Sequence, residues 1–201
     1  SVEETVRELQ KNPDVLFAEP NYYLSADDTI PSDPSFSNQY GLLNIRAPQG
    51  WDLSTGASWV TIAIIDSGVD YSHPDLAYKV LPGYDFVNGD SDPQDDHGHG
   101  THVAGIAAAG ANDGIGIAGV SWGAAVMPLK VLDSSGNGTY ANAAAAIVWA
   151  TDHGAQVINM SFGGSFYSQT LENAVLYAYT RGVVQVAAAG NSGSGSVLYP
   201  A

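Results

Sequence analysis

The fold follows from one stretch, Val60-Thr61-Ile62-Ala63-Ile64-Ile65-Asp66, an apolar run that ends at a carboxylate. A continuous apolar run of this length predicts a strand buried on both faces, as in parallel sheets. A carboxylate at the end of such a strand is costly to bury unless it has a partner. The stretch therefore predicts both a buried parallel sheet and a polar site where the strand ends.

Strand and helix patterns alternate along the chain after this stretch. Strands are predicted at 127–132, 156–160 and 183–188, and helices at 140–153 and 171–179. Such alternation implies right-handed crossovers and a mainly parallel sheet with helices on both faces. We therefore predict a three-layer α/β fold. Ligands of such sheets bind beyond the carboxyl ends of the strands.

A histidine-rich stretch, Asp96-His97-Gly98-His99-Gly100-Thr101-His102, runs directly into small apolar residues. This pattern predicts a loop that feeds a helix, with a histidine at the helix start. A histidine titrates near neutrality and is suited to act as a general base. We predict that His99 partners Asp66, although a buried pair that only holds the sheet edge is an alternative. A zinc site is disfavoured because no His-Glu-x-x-His motif occurs.

Composition excludes several classes of function. The 201 residues have six Lys and Arg against 21 Asp and Glu, a formal net charge of -15. This balance argues against nucleic acid or an anionic membrane as a partner. The absence of Cys excludes disulfides, thiolate zinc sites and a cysteine nucleophile.

Three motifs carry a family resemblance: Ile64-Ile65-Asp66-Ser67-Gly68-Val69-Asp70, His99-Gly100-Thr101-His102-Val103-Ala104-Gly105 and Ala188-Ala189-Gly190-Asn191-Ser192-Gly193. They resemble the aspartate, histidine and oxyanion-asparagine motifs of the subtilisin family of serine proteases, in particular its thermitase-like branch. The resemblance implies a calcium-stabilised serine endopeptidase of broad specificity with Asp66 and His99 in the triad. Asn191 would donate to the oxyanion, although a turn asparagine is the alternative.

The nucleophile of the family is missing from these residues. Its Gly-Thr-Ser-Met-Ala motif does not occur in the sequence. The chain therefore resembles a fragment that is incomplete at the C-terminus, and it is expected to be inactive by itself. The rival interpretation is a pseudoenzyme or peptide-binding module with the same fold.

The first residues differ from the rest of the chain. A short helix is predicted from Val2 to about Lys11 behind Ser1 as N-cap, and a strand over 15–19. The pair resembles the tail of an inhibitory propeptide, so we divide the chain into 1–28, propeptide, and 29–201, catalytic domain. The linker is predicted over 27–34. A simple N-terminal arm is the alternative.

The resemblance also implies substrate-binding segments at the strand ends. Glycine lets an extended peptide approach the backbone closely and pair as an added strand. The small residues around Gly190 indicate a roomy, apolar pocket for the residue before the scissile bond. The positions implied are Gly136, Asn137, Gly138, Ser161, Phe162, Gly163, Ala188 and Gly190.

Two groups of oxygen-bearing residues resemble calcium sites of thermitase-like enzymes, and Ca²⁺ prefers such ligands. The ligands of the tighter site would be the side chains of Asp33, Asp75 and Asp113 and the carbonyls of Gly110, Ile115 and Ile117. The ligands of the weaker site would be Asp85, Asn88, Asp90, Asp92 and Gln94. Solvated surface acids are the alternative for both groups.

The resemblance also implies the location and the partners of the whole protein of which this chain would be a part. It implies a secreted monomer that acts on polypeptides, has its own propeptide as a partner and binds neither nucleic acid nor membrane.

Overall fold

A computed structural model describes residues 1–22, 28–193, 195 and 198–201. Its strands are β1 (Thr61–Asp66), β2 (Tyr84–Asp85), β3 (Ala125–Lys130), β4 (Val157–Met160) and β5 (Val184–Ala187). They form one sheet in the order β2–β3–β1–β4–β5. Every neighbouring pair is parallel. The predicted α/β fold with a mainly parallel sheet is confirmed.

The described residues form six α-helices besides this sheet. They are α1 (Val2–Leu9), α2 (Tyr40–Asn44), α3 (Ala47–Trp51), α4 (His99–Ala108), α5 (Tyr140–Asp152) and α6 (Gln169–Thr180). Helices α5 and α6 share one apolar core with the sheet, and α4 shares a second core on the opposite face. None of the helices in the described ranges is long and apolar enough to cross a membrane.

The local sequence explains where these elements begin and end. Five consecutive residues of β1, from Ile62 onward, are buried, as expected for a central strand. Helix α5 begins behind Thr139 and α6 behind Ser168, whose side chains accept hydrogen bonds from backbone amides of the first turn. Gly182 follows α6 with a positive φ of 79°, which favours glycine after a helix.

The N-terminal segment only partly follows the prediction. Ser1 forms a capping box with Glu4, but α1 ends at Leu9, and none of its residues is buried. The predicted strand over 15–19 is wrong: these residues form no strand, and Leu16 is 96% exposed. A strand needs a neighbour for its backbone groups, and this segment pairs with none in the described part of the chain. Asp27 of the predicted linker lies outside the described residues.

Candidate active site

Parallel register aligns the strand ends that were predicted to form a site. Asp66 lies opposite Lys130, while Ile65 lies opposite Met160, which in turn lies opposite Ala187. Ser161 and Ala188 therefore follow their strands at the same edge of the sheet at which β1 ends. This edge is the usual position of ligand sites in α/β proteins.

Asp66 and His99 are in direct contact at this edge. The Nδ1 atom of His99 lies 2.7 Å from Oδ1 of Asp66. The carboxylate is completely buried, whereas the imidazole side chain is 43% exposed. The backbone amide of Ser67 also donates to Oδ1 of Asp66, at 2.8 Å. One side of the imidazole is thus held by a buried acid while the ring remains accessible.

This geometry selects the tautomer of His99. An ionised carboxylate only accepts hydrogen bonds, so Nδ1 of the ring must carry the proton. Nε2 of the neutral ring is then free to accept a proton from a nucleophile, and the buried negative charge stabilises the imidazolium that results. The pair can therefore work as the acid–base half of an acyl-transfer site.

Asn191 lies four residues beyond the end of β5 and is exposed. Its position past a strand at the same sheet edge is compatible with donation to a developing oxyanion. Asn191 therefore lies at a suitable location for an oxyanion donor, and this role of Asn191 remains a prediction.

Several of the predicted substrate residues line one groove of about 320 Å³. Its lining includes Gly136, Asn137, Gly138, Phe162 and Gly163. Gly136 has a positive φ of 75°, and a side chain there would press on the ring of His97. The two glycine-bearing segments thus border the same groove, and Gly136 lies close to the ring of His97.

Leu198 reaches the region around Gly163 and Gly190, which was predicted to be roomy. Its Cβ lies 2.7 Å from the point that a Cβ of Gly163 would occupy, and its Cδ1 lies 3.1 Å from the corresponding point at Gly190. The leucine side chain therefore occupies space between the two glycines. The pocket is narrower than its small residues alone indicate.

The three acids of the tighter predicted calcium site converge on the loop 110–117. Asp33 accepts a hydrogen bond from the amide of Asn112, and Asp75 accepts one from the amide of Ile117. Asp113 lies in the loop itself. Asp33 and Asp75 are buried, and each has an Oδ1 atom without a hydrogen-bond partner in the described part of the chain.

Burial and the neighbouring acids both work against a negative charge on Asp75. Burial raises the pKa of Asp75, and the charges of Asp113 and Asp33 raise it further against a lowering hydrogen bond from Ile117. A side chain at Gly116 would overlap the carboxylate of Asp75, so the loop must stay bare there. Buried, unpartnered carboxylate oxygens are a good fit for a hard cation.

The second acidic loop is organised around Asp85. Its carboxylate accepts hydrogen bonds from the backbone amides of Val87 and Asn88 and from the side-chain amide of Asn88. The backbone amide of Asp92 donates to Asp90, while the side-chain amide of Gln94 donates to Asp70. The five predicted ligands share one compact loop, but Asn88 directs an N–H group at Asp85.

Side chains alone do not make a metal site at either place. Over the described residues, no group of three or more His, Cys, Asp or Glu side chains could hold a metal ion. A calcium ion at loop 110–117 would therefore also depend on backbone carbonyl oxygens, which Ca²⁺ accepts readily.

Two charged residues beside the Asp66–His99 pair were not foreseen from the sequence. Lys130 is only 1% exposed and donates from Nζ to the carbonyls of Ser67 and Leu132 and to the carboxylate of Asp96. Asp95 accepts hydrogen bonds from both the strand end and the helix start. The only sequence signal is their position, at the end of a strand and just before the histidines.

The fold and this site define an α/β protein with a buried acid–histidine pair at the carboxyl edge of a parallel sheet. The model of the subtilase family matches residues 57–201, and the chain belongs to this family. The similarity to the thermitase-like branch is also shown by the sequences of its relatives.

Two curated relatives illustrate the similarity. The chain is 50% identical over 202 residues to the thermophilic serine proteinase of Bacillus sp. (strain AK1), covering 100% of this chain and 50% of that protein. It is 52% identical over 172 residues to thermitase of Thermoactinomyces vulgaris, covering 85% of this chain and 61% of that protein. The chain thus spans about half to three-fifths of the length of these relatives.

A solved structure shows the same fold. The chain superposes on a structure titled as proteases from Pseudoalteromonas arctica with a TM-score of 0.76 and 36% sequence identity. The match covers 81% of this chain and 60% of that chain.

Proposed function

We propose that this chain is part of a secreted serine endopeptidase, to which it contributes Asp66, His99 and the oxyanion donor Asn191. The observation that carries the proposal is the 2.7 Å contact between a fully buried carboxylate and a partly exposed imidazole. Family membership and relatives named as serine proteinases support the same reaction class.

In this mechanism the serine comes from a part of the parent protein outside these residues. His99 accepts the hydroxyl proton as the serine oxygen attacks the peptide carbonyl, and it later gives the proton to the leaving amine. Asp66 holds the imidazole in the required tautomer. The amide of Asn191 donates to the carbonyl oxygen as that oxygen gains negative charge. In subtilisin, loss of one such donor costs about 10²–10³ in kcat.

Substrate binding would use the groove described above. An extended peptide would pair through its backbone with residues 136–138 on one side and 161–163 on the other. Backbone pairing carries little sequence information, so broad specificity follows, and side-chain preference would depend on the pocket bounded by Gly163, Ala188, Gly190 and Leu198.

Calcium and a propeptide complete the proposal. Calcium would be held by Asp33, Asp75 and Asp113 with carbonyls of loop 110–117, and more weakly by the loop 85–94. Its contribution would be to neutralise buried carboxylates and stabilise the fold.

Residues 1–28 would belong to an inhibitory propeptide, in line with an α1 that buries none of its residues in the described structure.

The test is peptidase activity of the full-length polypeptide encoded by the parent gene. We expect the wild type to hydrolyse peptides and to react with a serine-directed phosphonate, and we expect Asp66→Asn and His99→Ala to be at least 10³-fold slower, roughly as in other triads. The 1–201 chain should show neither reaction. A coding sequence without a Gly-Thr-Ser-Met-Ala motif, together with an inactive wild type, would favour the pseudoenzyme instead.

A further inference from the structure

Asp95 lies between the strand that carries Asp66 and the helix that carries His99, and the mechanism above does not use it. We propose that Asp95 is a positioning residue that sets the orientation of the Asp66–His99 pair. This inference rests on the proposed peptidase function for its kinetic consequence, but the geometry behind it concerns the resting protein.

Five hydrogen bonds converge on the Asp95 carboxylate. Its Oδ1 atom accepts from the Ser67 hydroxyl at 2.8 Å and from the backbone amides of His97 and Gly98 at 3.0 and 2.8 Å. Its Oδ2 atom accepts from both the backbone amide and the hydroxyl of Thr101. All five groups are donors, so the site suits an acceptor-only carboxylate and not an amide.

Ser67 connects this carboxylate to the catalytic pair. While its hydroxyl donates to Asp95, it also accepts from the backbone amide of Gly100 at 2.9 Å. The backbone amide of Ser67 donates to Oδ1 of Asp66, the same oxygen that contacts His99. Ser67 is completely buried. The orientation of the acid and the position of the helix start are therefore linked through one hydroxyl.

Sterics alone do not fix this junction. The backbone of Gly100 packs so closely on β1 that a side chain there would overlap the carbonyl oxygen of Gly68 and press on Cβ of Asp66. Close packing prevents α4 and β1 from moving closer but allows them to slide past each other. Directed hydrogen bonds fix both the distance and the angle between the groups that they join. Asp95 supplies such bonds to α4 on one side and, through Ser67, to β1 on the other.

Other charged groups at the junction have contacts that do not involve the Asp95 carboxylate. Asp96 pairs with Lys130, whose ammonium also binds the carbonyl oxygen of Ser67. The ring of His97 lies 6.3 Å from that of His99, centroid to centroid. These groups hold the same loop from other directions, so a variant at Asp95 is expected to fold.

The experiment compares variants of the full-length enzyme. Asp95→Asn keeps the shape of the side chain but places N–H groups among donors. We expect kcat to fall about 100-fold, the loss typical of a misplacement of about 1 Å, with KM within about twofold of wild type. The matched control is Asp152→Asn, which removes one exposed carboxylate that binds the Tyr177 hydroxyl. Its kcat should be unchanged.

A double-mutant cycle tests the route through Ser67. Ser67→Ala removes the connecting hydroxyl but leaves the four other bonds of Asp95, so it should fold even if Asp95→Asn does not. We expect its kcat to fall in the same direction, and the double variant to be no slower than the slower single variant, because residues of one network are not additive. If the fold losses in kcat of the two single variants multiply in the double variant, the two residues act independently and the proposal is overturned.

A spectroscopic readout separates this proposal from the proposed function. The proton shared by His99 and Asp66 should give a downfield resonance in wild type and Asp152→Asn, and a shifted or lost one in Asp95→Asn. If the folded wild type lacks peptidase activity, the proposed function fails while this resonance still decides the role of Asp95. If Asp95→Asn shows an unchanged resonance, or a kcat within threefold of wild type, the positioning role of Asp95 is refuted.

Discussion

The charge at position 75 offers the sharpest test of the calcium proposal. Asp75 is 2% exposed, and one of its oxygens has no hydrogen-bond partner in the described residues. Asp75→Asn keeps the size of the side chain and removes one of three converging charges. We expect the variant to be less stable than wild type in calcium, but at least as stable in chelator, because a repulsive charge has been lost.

The magnitude follows from mass action. A free calcium concentration about 100 times the dissociation constant stabilises the fold by about 2.7 kcal/mol. A site weakened about 100-fold would retain only about 0.4 kcal/mol at the same concentration. The thermal midpoint of a chain of 150–250 residues changes by about 2–4 °C per kcal/mol. Asp75→Asn should therefore lower the midpoint in calcium by about 5–9 °C for a folded unit of this size, and by less for a larger one.

The assay is thermal unfolding of the full-length enzyme, inhibited to prevent self-digestion, in calcium and in chelator. Asp90→Asn serves as the matched control, because Asp90 lies in the loop assigned to the weaker site and should cause a smaller change. A wild-type midpoint that is the same in both conditions would refute the reasoning. So would an Asp75→Asn variant that responds to calcium as strongly as wild type.

Three further predictions concern single side chains of the site. Lys130→Met should lower the free energy of unfolding in urea by about 1–3 kcal/mol, since it leaves buried carbonyls unpaired while the 49% exposed Asp96 can still hydrate. Leu198→Gly should raise kcat/KM about tenfold or more for peptides with Phe, relative to Ala, before the scissile bond. Backbone amides of Asn137 and Ser135 lower the pKa of Asp133 from 3.8. The hydrogen bonds by which the Asp133 carboxylate holds the start of the substrate-binding segment 136–138 should be complete above pH 3.8 and lost as the pH falls through the lowered pKa. Asp133→Ala should therefore raise KM about 2- to 10-fold at neutral pH.

Controls and contrary outcomes are available for each. Lys11→Met removes an exposed pair with Glu8 and should leave the urea midpoint unchanged; an equal loss in both lysine variants would contradict the first prediction. An unchanged preference between Phe and Ala would show that Leu198 does not limit the pocket. A carboxyl carbon of Asp133 that titrates at or above 3.8 by NMR would contradict the third.

The regular part of the fold was predictable because its signals are local. The apolar runs of β1, β3, β4 and β5 and the helical patterns over 140–153 and 171–179 place each element within a few residues of its true bounds. The pairing of Asp66 with His99 followed from one argument, that a carboxylate at the end of a buried strand needs a partner. The first inference uses neighbouring residues, whereas the second joins positions 33 residues apart through the general rule that a buried charge needs a partner.

What was missed depends on contacts that are distant in sequence. Residues 15–19 have the composition of a strand, but a strand requires a partner that the sequence does not specify. Strand β2 has only two residues and no pattern of its own. The roles of Asp95 and Lys130 arise because loop 95–98 folds back on Ser67, and Leu198 matters only because its segment returns to Gly163.

Strand β5 has a consequence for how this sheet meets other molecules. It is the last strand of the sheet order over the described residues, and Val184 and Val186 on it are 58% and 51% exposed. A strand at the edge of a sheet presents a row of backbone N–H and C=O groups to which another chain can add a strand. When the 1–201 chain is handled by itself, association between copies is therefore expected to begin at β5.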